Sequence, residues 1–184
     1  EDMHVDHKRL SHEEAMQAIY IKGRDNARTP VQWDASANAG FSPEGVTTWI
    51  NVNPNYPEIN AEAVLADEDS IFYHYQQLVA LRRGELKDLM VYASFAPVDS
   101  VQVPHDEDEA VYAYTRTGGA DGSPANESLL VISNFTAEEQ ERDFAVLNEA
   151  REAGARVELV SSNYKDDAGS TLRPYEAKVY HIVR

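Results

Sequence analysis

The sequence predicts an α+β chain in which a helical, loop-rich first half is followed by an antiparallel β-sandwich. The strongest helical pattern runs from about Ser70 to Arg83, and Gly84 directly follows it. After this glycine the chain becomes a series of short segments rich in Val, Tyr, Phe and Ile, at the spacing typical of a sandwich of ~95 residues. We therefore expect a boundary near residues 85–88, with one domain over 1–87 and a second over 88–184.

The elements of the first half have local signals. Ser11 and Glu14 have the spacing of a capping box, which predicts a helix over residues 11–21. A further short helix is expected between residues 59 and 66. The helix that begins near Ser70 has acidic residues before it and arginines at its end. The helix dipole favours negative charge at the N-terminus and positive charge at the C-terminus, so both features support this helix.

The second half consists of short β-like segments separated by turn-forming or acidic stretches. A Gly-rich stretch at 118–128 separates two of them, as expected for a hairpin with an extended tip. We expect no strong helix between these strands and no row of exposed aromatic residues of the kind that sugar-binding modules use. The predicted strands are Leu89–Val98, Ala110–Thr117, Ser128–Phe135, Arg142–Leu147, Arg156–Ser161 and Ala177–Val183.

The longest polar stretch without a helical or strand period runs from residue 23 to residue 41. Ordering a loop costs ~1–2 kcal/mol of backbone entropy per residue, so a long ordered loop in a compact domain is typical of a functional segment. Trp33 gives this loop an apolar group to bury, and we expect it to be a buried anchor. The side chains that the loop is expected to present are Arg24, Asp25, Asn26 and Arg28.

Charge and composition exclude several classes of protein. The net charge of −16 disfavours nucleic acid and anionic membranes as partners. The chain has no cysteine, which excludes disulfides and thiolate chemistry. No apolar run approaches the ~20 residues of a membrane span, and no signal peptide opens the chain, so a soluble cytoplasmic protein is expected. The acidic runs at 105–109 and 138–142 are expected to be solvated.

Two weak motifs are interpreted as incidental. His4, His7 and His12 lie close in sequence but have no further ligand at a metal-site spacing, so neither a metal site nor a cofactor is expected. Asn126-Glu-Ser and Asn134-Phe-Thr match the glycosylation pattern, and nothing in the sequence indicates secretion.

The first half lacks a second layer against which its main helix could pack. The chain also begins at Glu1 without an initiator Met. We therefore expect a piece of a larger protein, and an isolated chain that self-associates through its N-terminal half. The apolar helix face that would be exposed consists of Ile71, Tyr75, Leu78 and Val79.

Several motifs, in order, resemble one family of carbohydrate-active enzymes. They are GRDNARTPVQWDASANAGF at 23–41, WINVNPNYPEIN at 49–60, DSIFYHYQQLVALRR at 69–83, VYAYTRT at 111–117, LLVISNFT at 129–136 and LRPYEAKVY at 172–180. They are similar to the C-terminal part of the oligo-1,6-glucosidases and related α-glucosidases of glycoside hydrolase family 13, the α-amylase family. The resemblance covers nearly the whole chain and departs at Val31, where many relatives carry Met.

The resemblance implies the end of a (β/α)8 catalytic barrel followed by a small β-sandwich. Residues 1–84 would be the excursion after the last barrel strand and the last barrel helix, with the loop at the face where barrels place their chemistry. The family cleaves with retention, using an Asp nucleophile, a Glu acid/base and a stabilising Asp from earlier strands. None of those motifs occurs here, so no catalytic residue is assigned and the isolated chain is expected to be inactive.

The resemblance also implies a substrate-binding role for Arg28. In relatives the arginine of the R-T-P-x-Q-W segment reaches the terminal glucose and helps bind its 4-hydroxyl, which suits an exo-acting enzyme on short oligosaccharides. The implied linkage is α-1,6, with α-1,4 as an open alternative, and the implied partners are short α-glucosides and the missing barrel. The residues expected to support the loop are Arg24, Asp25, Asn26 and Trp33.

Two alternatives stay open. Trehalose-6-phosphate hydrolases and sucrose isomerases carry very similar C-terminal parts, and the residues that separate them lie in the missing barrel. A free-standing binding module, with the sandwich as its working part, is a hypothesis from another class, and it leaves residues 1–84 without a role.

Overall fold

Helices dominate the first part of the chain and antiparallel strands the second. The computed structural model describes residues 4–5, 8–119 and 122–184. The mixture of helices and antiparallel strands that the sequence predicts is confirmed. The helices are α1 (His12–Lys22), α2 (Ala61–Ala66), α3 (Ile71–Arg83), α4 (Lys87–Val91) and α5 (Ala145–Glu152), with 3₁₀ turns at Arg24–Ala27 and Ala37–Gly40.

The described strands form one large sheet and two small ones. The large sheet has five antiparallel strands in the order β3-β4-β5-β9-β7. The pair β1-β2 and the pair β6-β8 form the two-stranded sheets. The strands are β1 (His4–Val5), β2 (Lys8–Arg9), β3 (Ser94–Pro97), β4 (Val111–Thr117), β5 (Glu127–Asn134), β6 (Gln140–Glu141), β7 (Arg156–Ser162), β8 (Thr171–Leu172) and β9 (Ala177–Val183).

The chain divides into two compact units, Glu1–Tyr73 and His74–Arg184. In the first unit, the predicted capping box is confirmed: Ser11 Oγ accepts from the Glu14 amide, and the Glu14 carboxylate accepts from the Ser11 amide. These hydrogen bonds satisfy amides that a helix N-terminus leaves unpaired, which is why α1 begins where it does.

The loop of the first unit is ordered by its own hydrogen bonds. Asn38, Ala39 and Gly40 have φ angles of 54°, 56° and 66°, so three consecutive residues are left-handed. The Asn38 amide nitrogen stabilises this turn by donating to Ser42 Oγ and to the carbonyls of Pro43 and Val46 at 2.9–3.1 Å. The loop is therefore ordered by specific hydrogen bonds although it has no helical or strand period.

The first unit buries little apolar surface. Among its described side chains, the buried apolar ones are all small: Ala15, Pro30 and Ala39. Ile71, at the start of α3, is exposed, as expected from the sequence, and so is Tyr75, which follows in the second unit. The predicted buried anchor is wrong, because Trp33 is 54% exposed. The first unit supplies no layer large enough to cover its indole ring.

The second unit has a core on each face of the large sheet. Alternate residues of β4, β5 and β9 point to the face covered by α5 and β8. The other face is covered at one end by α4, where Leu86, Leu89 and Ala93 pack against Leu129. The first core consists of Val111, Ala113, Leu130, Ile132, Phe144, Leu147, Ala150, Leu172, Tyr180 and Ile182.

Most predicted strands of this unit are confirmed, and two are corrected. The hairpin formed by β4 and β5 and the strands β7 and β9 lie where the sequence places them. The predicted strand over 142–147 is wrong, because helix α5 begins at Ala145 and buries Leu147 and Ala150. The predicted strand over 89–98 is wrong in its first half, where α4 buries Leu89. The expectation of no strong helix between the strands is therefore also wrong, because α5 has eight residues and contributes to the core.

Two of the residues expected to be solvated form a buried ion pair. Arg142 Nε and Nη2 donate to the two Asp108 oxygens at 2.7 and 3.1 Å, with the side chains 12% and 4% exposed. Burial raises the pKa of Asp108, but the hydrogen bonds from Arg142 and from two backbone amides outweigh it and hold the pKa below its ordinary value. This pair fixes the acidic segment 105–109 to the sheet.

A second buried polar cluster lies beside β9. Lys178 is fully buried, and its Nζ donates to the carbonyls of Gly169 and Thr171 at 3.0 and 3.1 Å. The same nitrogen lies 3.2 Å from Asp167 Oδ1 and 3.6 Å from Glu176 Oε1. The cluster therefore holds the segment 167–171 against the sheet.

Other hydrogen bonds complete this cluster. Burial raises the pKa of Glu176, but the Arg173 guanidinium and amide, which both donate to it, together with the nearby Lys178 charge, hold that pKa below its ordinary value. Burial likewise raises the pKa of Asp167, and hydrogen bonds from Tyr180, from a backbone amide and from Lys178 lower it further than burial raises it. Both carboxyl groups are therefore charged near neutral pH.

Asn134, at the end of β5, links three segments through its side chain. Its Nδ2 donates to the carbonyls of Glu138, Leu172 and Arg173 at 2.8–3.3 Å, and its Oδ1 accepts from the Thr136 amide. Asn134 is 3% exposed. The Asn134 side chain thus joins the end of β5 to the segments around Glu138 and Leu172, where regular strand pairing stops.

The expectation that the strands carry no row of exposed aromatic residues is wrong. On the sheet face opposite the main core, Phe95, Tyr114 and Tyr112 form a row with ring centroids 5.1 and 5.9 Å apart. Phe95 and Tyr112 are exposed. The row arises because Tyr112 and Tyr114 alternate to one face of β4, and β3 pairs with β4 at this position.

The structure shows no helix, within the described part of the chain, with the length and apolarity needed to cross a membrane.

Candidate functional site

Two open grooves in the first unit share Arg28 and Trp49. The larger, of about 790 Å3, lies between the end of α1, the 3₁₀ turn Arg24–Ala27 and the segment 49–54. The smaller, of about 290 Å3, runs from Arg28 along Pro30 to Phe41 and back to Trp49. Small-molecule sites typically have volumes of ~300–1,000 Å3, so the larger groove lies within this range and the smaller lies at its lower limit.

Arg28 faces these grooves and is held by Asp25. The Arg28 amide donates to the Asp25 carbonyl at 3.0 Å, and Arg28 Nη2 is paired with Asp25 Oδ1. The side chains are 65% and 63% exposed. An exposed pair of this kind adds little stability, so its significance is geometric: it fixes the direction of a fork of hydrogen-bond donors.

The other predicted site residues are partly brought together. Arg24 and Asp25 line the larger groove with Arg28. Trp33 does not line either groove; its amide donates to Ala39 O at 2.8 Å, and its carbonyl accepts from the Glu62 amide. Asn26 lies within the first 3₁₀ turn, and its side chain is outside the described part of the structure.

Gln32 connects the loop to the segment 55–61, which directly follows the groove-lining segment 49–54. Its Nε2 donates to Asn55 Oδ1 at 3.0 Å and to the Ile59 carbonyl, and its own carbonyl accepts from the Ala61 amide at 2.9 Å. Asn60, which caps α2, is buried and bonded to Tyr56 O and the Ala63 amide. The loop is therefore hydrogen-bonded to the segment that follows one wall of the larger groove.

Sequence reasoning missed Trp49. This side chain is 98% exposed and lines both grooves beside Arg28. Trp49 lies just before the turn-forming run NVNPNY at 51–56, and an aromatic residue next to an Asn-Pro turn was the available signal. Asn51 and Asn53 of the same segment also line the larger groove and add amide groups to it.

The described residues offer no metal site. No group of three or more His, Asp or Glu side chains among them is arranged to hold an ion. His7 and the side chain of His4 lie outside the described part of the structure, so the His4, His7 and His12 motif is not tested. The groove-lining residues supply a guanidinium, a carboxylate and amides next to an exposed indole, a set of hydrogen-bonding groups that suits a polyhydroxylated ligand.

Comparison with known families gives the context of these grooves. Residues 1–92 match the family described as Alpha amylase, catalytic domain. This match includes the whole of the loop, both grooves and α3. The chain belongs to the α-amylase family. The family resemblance inferred from the sequence motifs is thereby confirmed.

Individual relatives in this family extend over both units of the chain. The oligo-1,6-glucosidase of Bacillus cereus is 43% identical over 176 residues, which cover 92% of this chain and 28% of that protein. The trehalose-6-phosphate hydrolase of Bacillus subtilis (strain 168) is 36% identical over 180 residues, covering 96% of this chain and 29% of that protein. The chain therefore spans less than a third of the length of these relatives.

Solved structures of α-amylase family members resemble the chain as well. Trehalose-6-phosphate hydrolase from Bacillus licheniformis matches with a TM-score of 0.74 and 37% identity, over 95% of this chain and 29% of that one. Isomaltulose synthase from Klebsiella sp. LX3 matches with a TM-score of 0.71 and 31% identity, over 94% of this chain and 28% of that one. The fold of the chain is thus that of a segment of these enzymes.

Proposed function

We propose that the chain is the C-terminal part of a retaining, exo-acting α-glucosidase that hydrolyses α-1,6 bonds in short oligosaccharides, with α-1,4 bonds as a second linkage. The observation that carries the proposal is the 43% identity with an oligo-1,6-glucosidase over 92% of the chain. The position of Arg28, exposed and facing two open grooves, agrees with a substrate-binding role.

The proposal includes a domain assignment. Residues 1–87 are the long active-site loop region and last helix of a (β/α)8 barrel, and residues 88–184 are a C-terminal β-sandwich. The match of residues 1–92 to the catalytic domain supports the first assignment. The five-stranded antiparallel sheet, with the small sheet β6-β8 and α5 over one face, supports the second. The expected cytoplasmic location belongs to the same proposal.

Arg28 has the chemistry for binding the terminal glucose. A guanidinium is permanently charged, and its donors lie in a fixed plane, so it can give two hydrogen bonds to neighbouring sugar hydroxyls. Asp25 holds this plane in position and reduces the side-chain entropy lost on binding. Arg24, Asn26 and Trp33 support the loop in this proposal.

The bond-cleaving carboxyl groups are supplied by the part of the catalytic domain that lies outside this chain. Retention requires a nucleophile and an acid/base ~5–5.5 Å apart, both at the C-terminal face of the barrel. The chain contributes the wall against which the substrate is held. It is therefore inactive alone and becomes part of an active site when joined to that domain.

The test is a full-length chimera in which this chain replaces the matching 28% of the Bacillus cereus enzyme. Arg28→Ala should lower kcat/KM on isomaltose by ~10²-fold or more, because a charged hydrogen bond is lost in a closed site. Arg28→Lys keeps the charge and should retain part of the activity, and Arg24→Ala should cost less than Arg28→Ala. Near-normal turnover of isomaltose by the Arg28→Ala chimera would contradict the substrate-binding role of Arg28.

A second candidate function is hydrolysis of trehalose 6-phosphate. It is favoured by the match to solved trehalose-6-phosphate hydrolase and by the presence of two arginines, Arg24 and Arg28, in one groove. A second chimera with the Bacillus subtilis trehalose-6-phosphate hydrolase distinguishes the candidates. If only this chimera is active, the first proposal is wrong.

A further inference from the structure

The side chain of Gln32 joins the loop at 23–41 to a segment more than twenty residues further along the chain. Its half-buried amide nitrogen donates to Asn55 Oδ1 at 3.0 Å and to the carbonyl of Ile59. Both acceptors belong to one short segment of the first unit. A single amide group therefore holds two distant parts of the chain together.

The backbone beside Gln32 adds two hydrogen bonds to this junction. The carbonyl of Gln32 accepts from the Ala61 amide at 2.9 Å, and the carbonyl of Trp33 accepts from the Glu62 amide at 3.0 Å. These are the first two amides of α2, and a helix has no partners for them in its own backbone. The loop therefore satisfies the beginning of α2, and α2 in return fixes the position of residues 32 and 33.

The junction lies next to both sides of the larger groove. Gln32 is four residues beyond Arg28, and Pro30 between them is buried and has a fixed φ angle, which limits their relative movement. On the other side of the junction, Asn55 directly follows the segment 49–54, which lines the same groove as Arg28. The Gln32 contacts therefore join the chain just after Arg28 to the chain just after the groove wall.

We propose that Gln32 is a positioning residue that sets the distance between Arg28 and the groove wall formed by residues 49–54. The inference rests on the proposed function, because it takes Arg28 as the residue that binds the terminal glucose. Gln32 lines neither groove, so its effect on the substrate is transmitted through Arg28. A displacement of about 1 Å in a substrate-binding group can cost about 10²-fold in rate, so a junction of this kind affects activity.

The competing explanation is that Gln32 only stabilises the fold. In that case its replacement changes the amount of folded protein or the general stability of the first unit, and its effect on activity is independent of Arg28. A positioning residue has a different signature, because its effect disappears when the side chain that it positions is removed. The coupling between the two side chains therefore distinguishes the two explanations.

The test is a double-mutant cycle in the Bacillus cereus chimera, with isomaltose as the substrate and with rates expressed per folded enzyme. Gln32→Met keeps the length of the side chain and removes both donated hydrogen bonds. It should lower kcat/KM about tenfold when Arg28 is present, and less than about twofold in the Arg28→Ala background. An equal factor in the two backgrounds would overturn the proposal, and so would an unchanged kcat/KM in the presence of Arg28.

Two further variants keep the test decisive. Gln17→Met is the matched control, since Gln17 is exposed on α1, and it should change kcat/KM less than about twofold. Asn55→Ala removes one of the two acceptors and is the milder variant to use if Gln32→Met does not fold. It should lower kcat/KM about threefold, with the same dependence on Arg28.

A second measurement does not depend on catalysis. Hydrogen–deuterium exchange of the chimera, followed by mass spectrometry, reports on the peptide 24–33, in which the Arg28 amide donates to the Asp25 carbonyl at 3.0 Å. Gln32→Met should speed the exchange of this peptide at least about threefold, and Gln17→Met should leave it unchanged. Unchanged exchange in Gln32→Met would overturn the proposal, because Gln32 would then not hold the segment that carries Arg28.

The two proposals fail in different ways. Near-normal turnover after Arg28→Ala contradicts the substrate-binding role of Arg28 and, with it, the positioning role of Gln32. A chimera that loses activity with Arg28→Ala but shows the same Gln32→Met factor in both backgrounds contradicts the positioning role alone.

Discussion

Replacement of Lys178 by Met tests the physical account of the second unit most directly. The side chain is fully buried, and its ammonium group contacts two carbonyls and two carboxylates within 3.6 Å. Methionine fills nearly the same volume, so the substitution removes the charge and leaves almost no cavity. Glu176, which is fully buried, and Asp167, whose side chain is 31% exposed, then remain without their shared cation.

The expected cost follows from these contacts. Removing one partner from a buried ion pair costs ~3–5 kcal/mol, because the remaining charge stays desolvated. Glu176 keeps its hydrogen bonds from Arg173, and Asp167 keeps that from Tyr180, so we expect the lower part of this range. A loss of about 3–4 kcal/mol is a large part of the ~5–15 kcal/mol typical of a domain. It corresponds to a fall in Tm of roughly 10–15 °C.

The assay is urea unfolding followed by far-ultraviolet circular dichroism. Both tryptophans, Trp33 and Trp49, lie in the first unit, so indole fluorescence follows that unit separately and should show an unchanged midpoint. The matched control is Arg156→Met, which removes a cation from an exposed ion pair with Glu158 and should cost under ~1 kcal/mol. If Lys178→Met shifts the midpoint no further than Arg156→Met, the reasoning about the buried cluster is refuted.

Two further predictions concern acid and backbone conformation. The folded-state pKa values of Asp167 and Glu176 lie below the ordinary 3.8 and 4.5. The two carboxylates therefore contribute fully to the free energy of unfolding at pH values above the ordinary pKa values. This contribution is lost as the pH falls through the folded-state pKa values. Thermal melts should therefore show the second unit losing stability below about pH 4.5, and a flat profile would contradict this. Gly40→Ala should destabilise the first unit by ~1–3 kcal/mol, measured by indole fluorescence, because φ is +66° and the new Cβ would lie 2.5 Å from Asp34 Oδ2. Gly45→Ala, also at positive φ but in open space, is the control and should cost less.

Local signals in the sequence were sufficient for several elements. The capping box of α1, helix α3 and the hairpin of β4 and β5 each depend on residues close together in the chain, and each is observed. Helix α5 was missed because its apolar residues were interpreted as a short β segment. The spacing of Phe144, Leu147 and Ala150, three residues apart, was the helical signal available.

Other features depend on pairing between distant segments. The alternation of β9 places Lys178 on the same face as Tyr180 and Ile182, so its burial was readable in principle, but its partners come from a separate loop. Tyr112 and Tyr114 share a face by alternation alone. Phe95 joins them only through the register of β3 on β4, which a single sequence does not reveal.

The candidate site shows the same division. The motif around Arg28 identified the loop, whereas the exposure of Trp49 depends on how segment 49–54 turns beside α1. Trp33 was expected to be buried because it is apolar, yet burial requires a neighbouring surface of matching size. Local sequence therefore predicts the position of the loop at 23–41, whereas the burial of its side chains depends on neighbouring segments.

The cross-linking amide of Asn134 has a consequence for producing the protein in a secretory host. An oligosaccharide would have to be attached to the same nitrogen that donates to Glu138, Leu172 and Arg173. In the folded chain this nitrogen is buried and inaccessible to the modifying enzyme. A sugar attached before folding would prevent the three hydrogen bonds that join the end of β5 to its neighbours. Asn126, at the opposite end of β5, is exposed, and its amide nitrogen donates to the Arg184 carbonyl at 3.3 Å, so an oligosaccharide there would disturb one long hydrogen bond at the end of the chain.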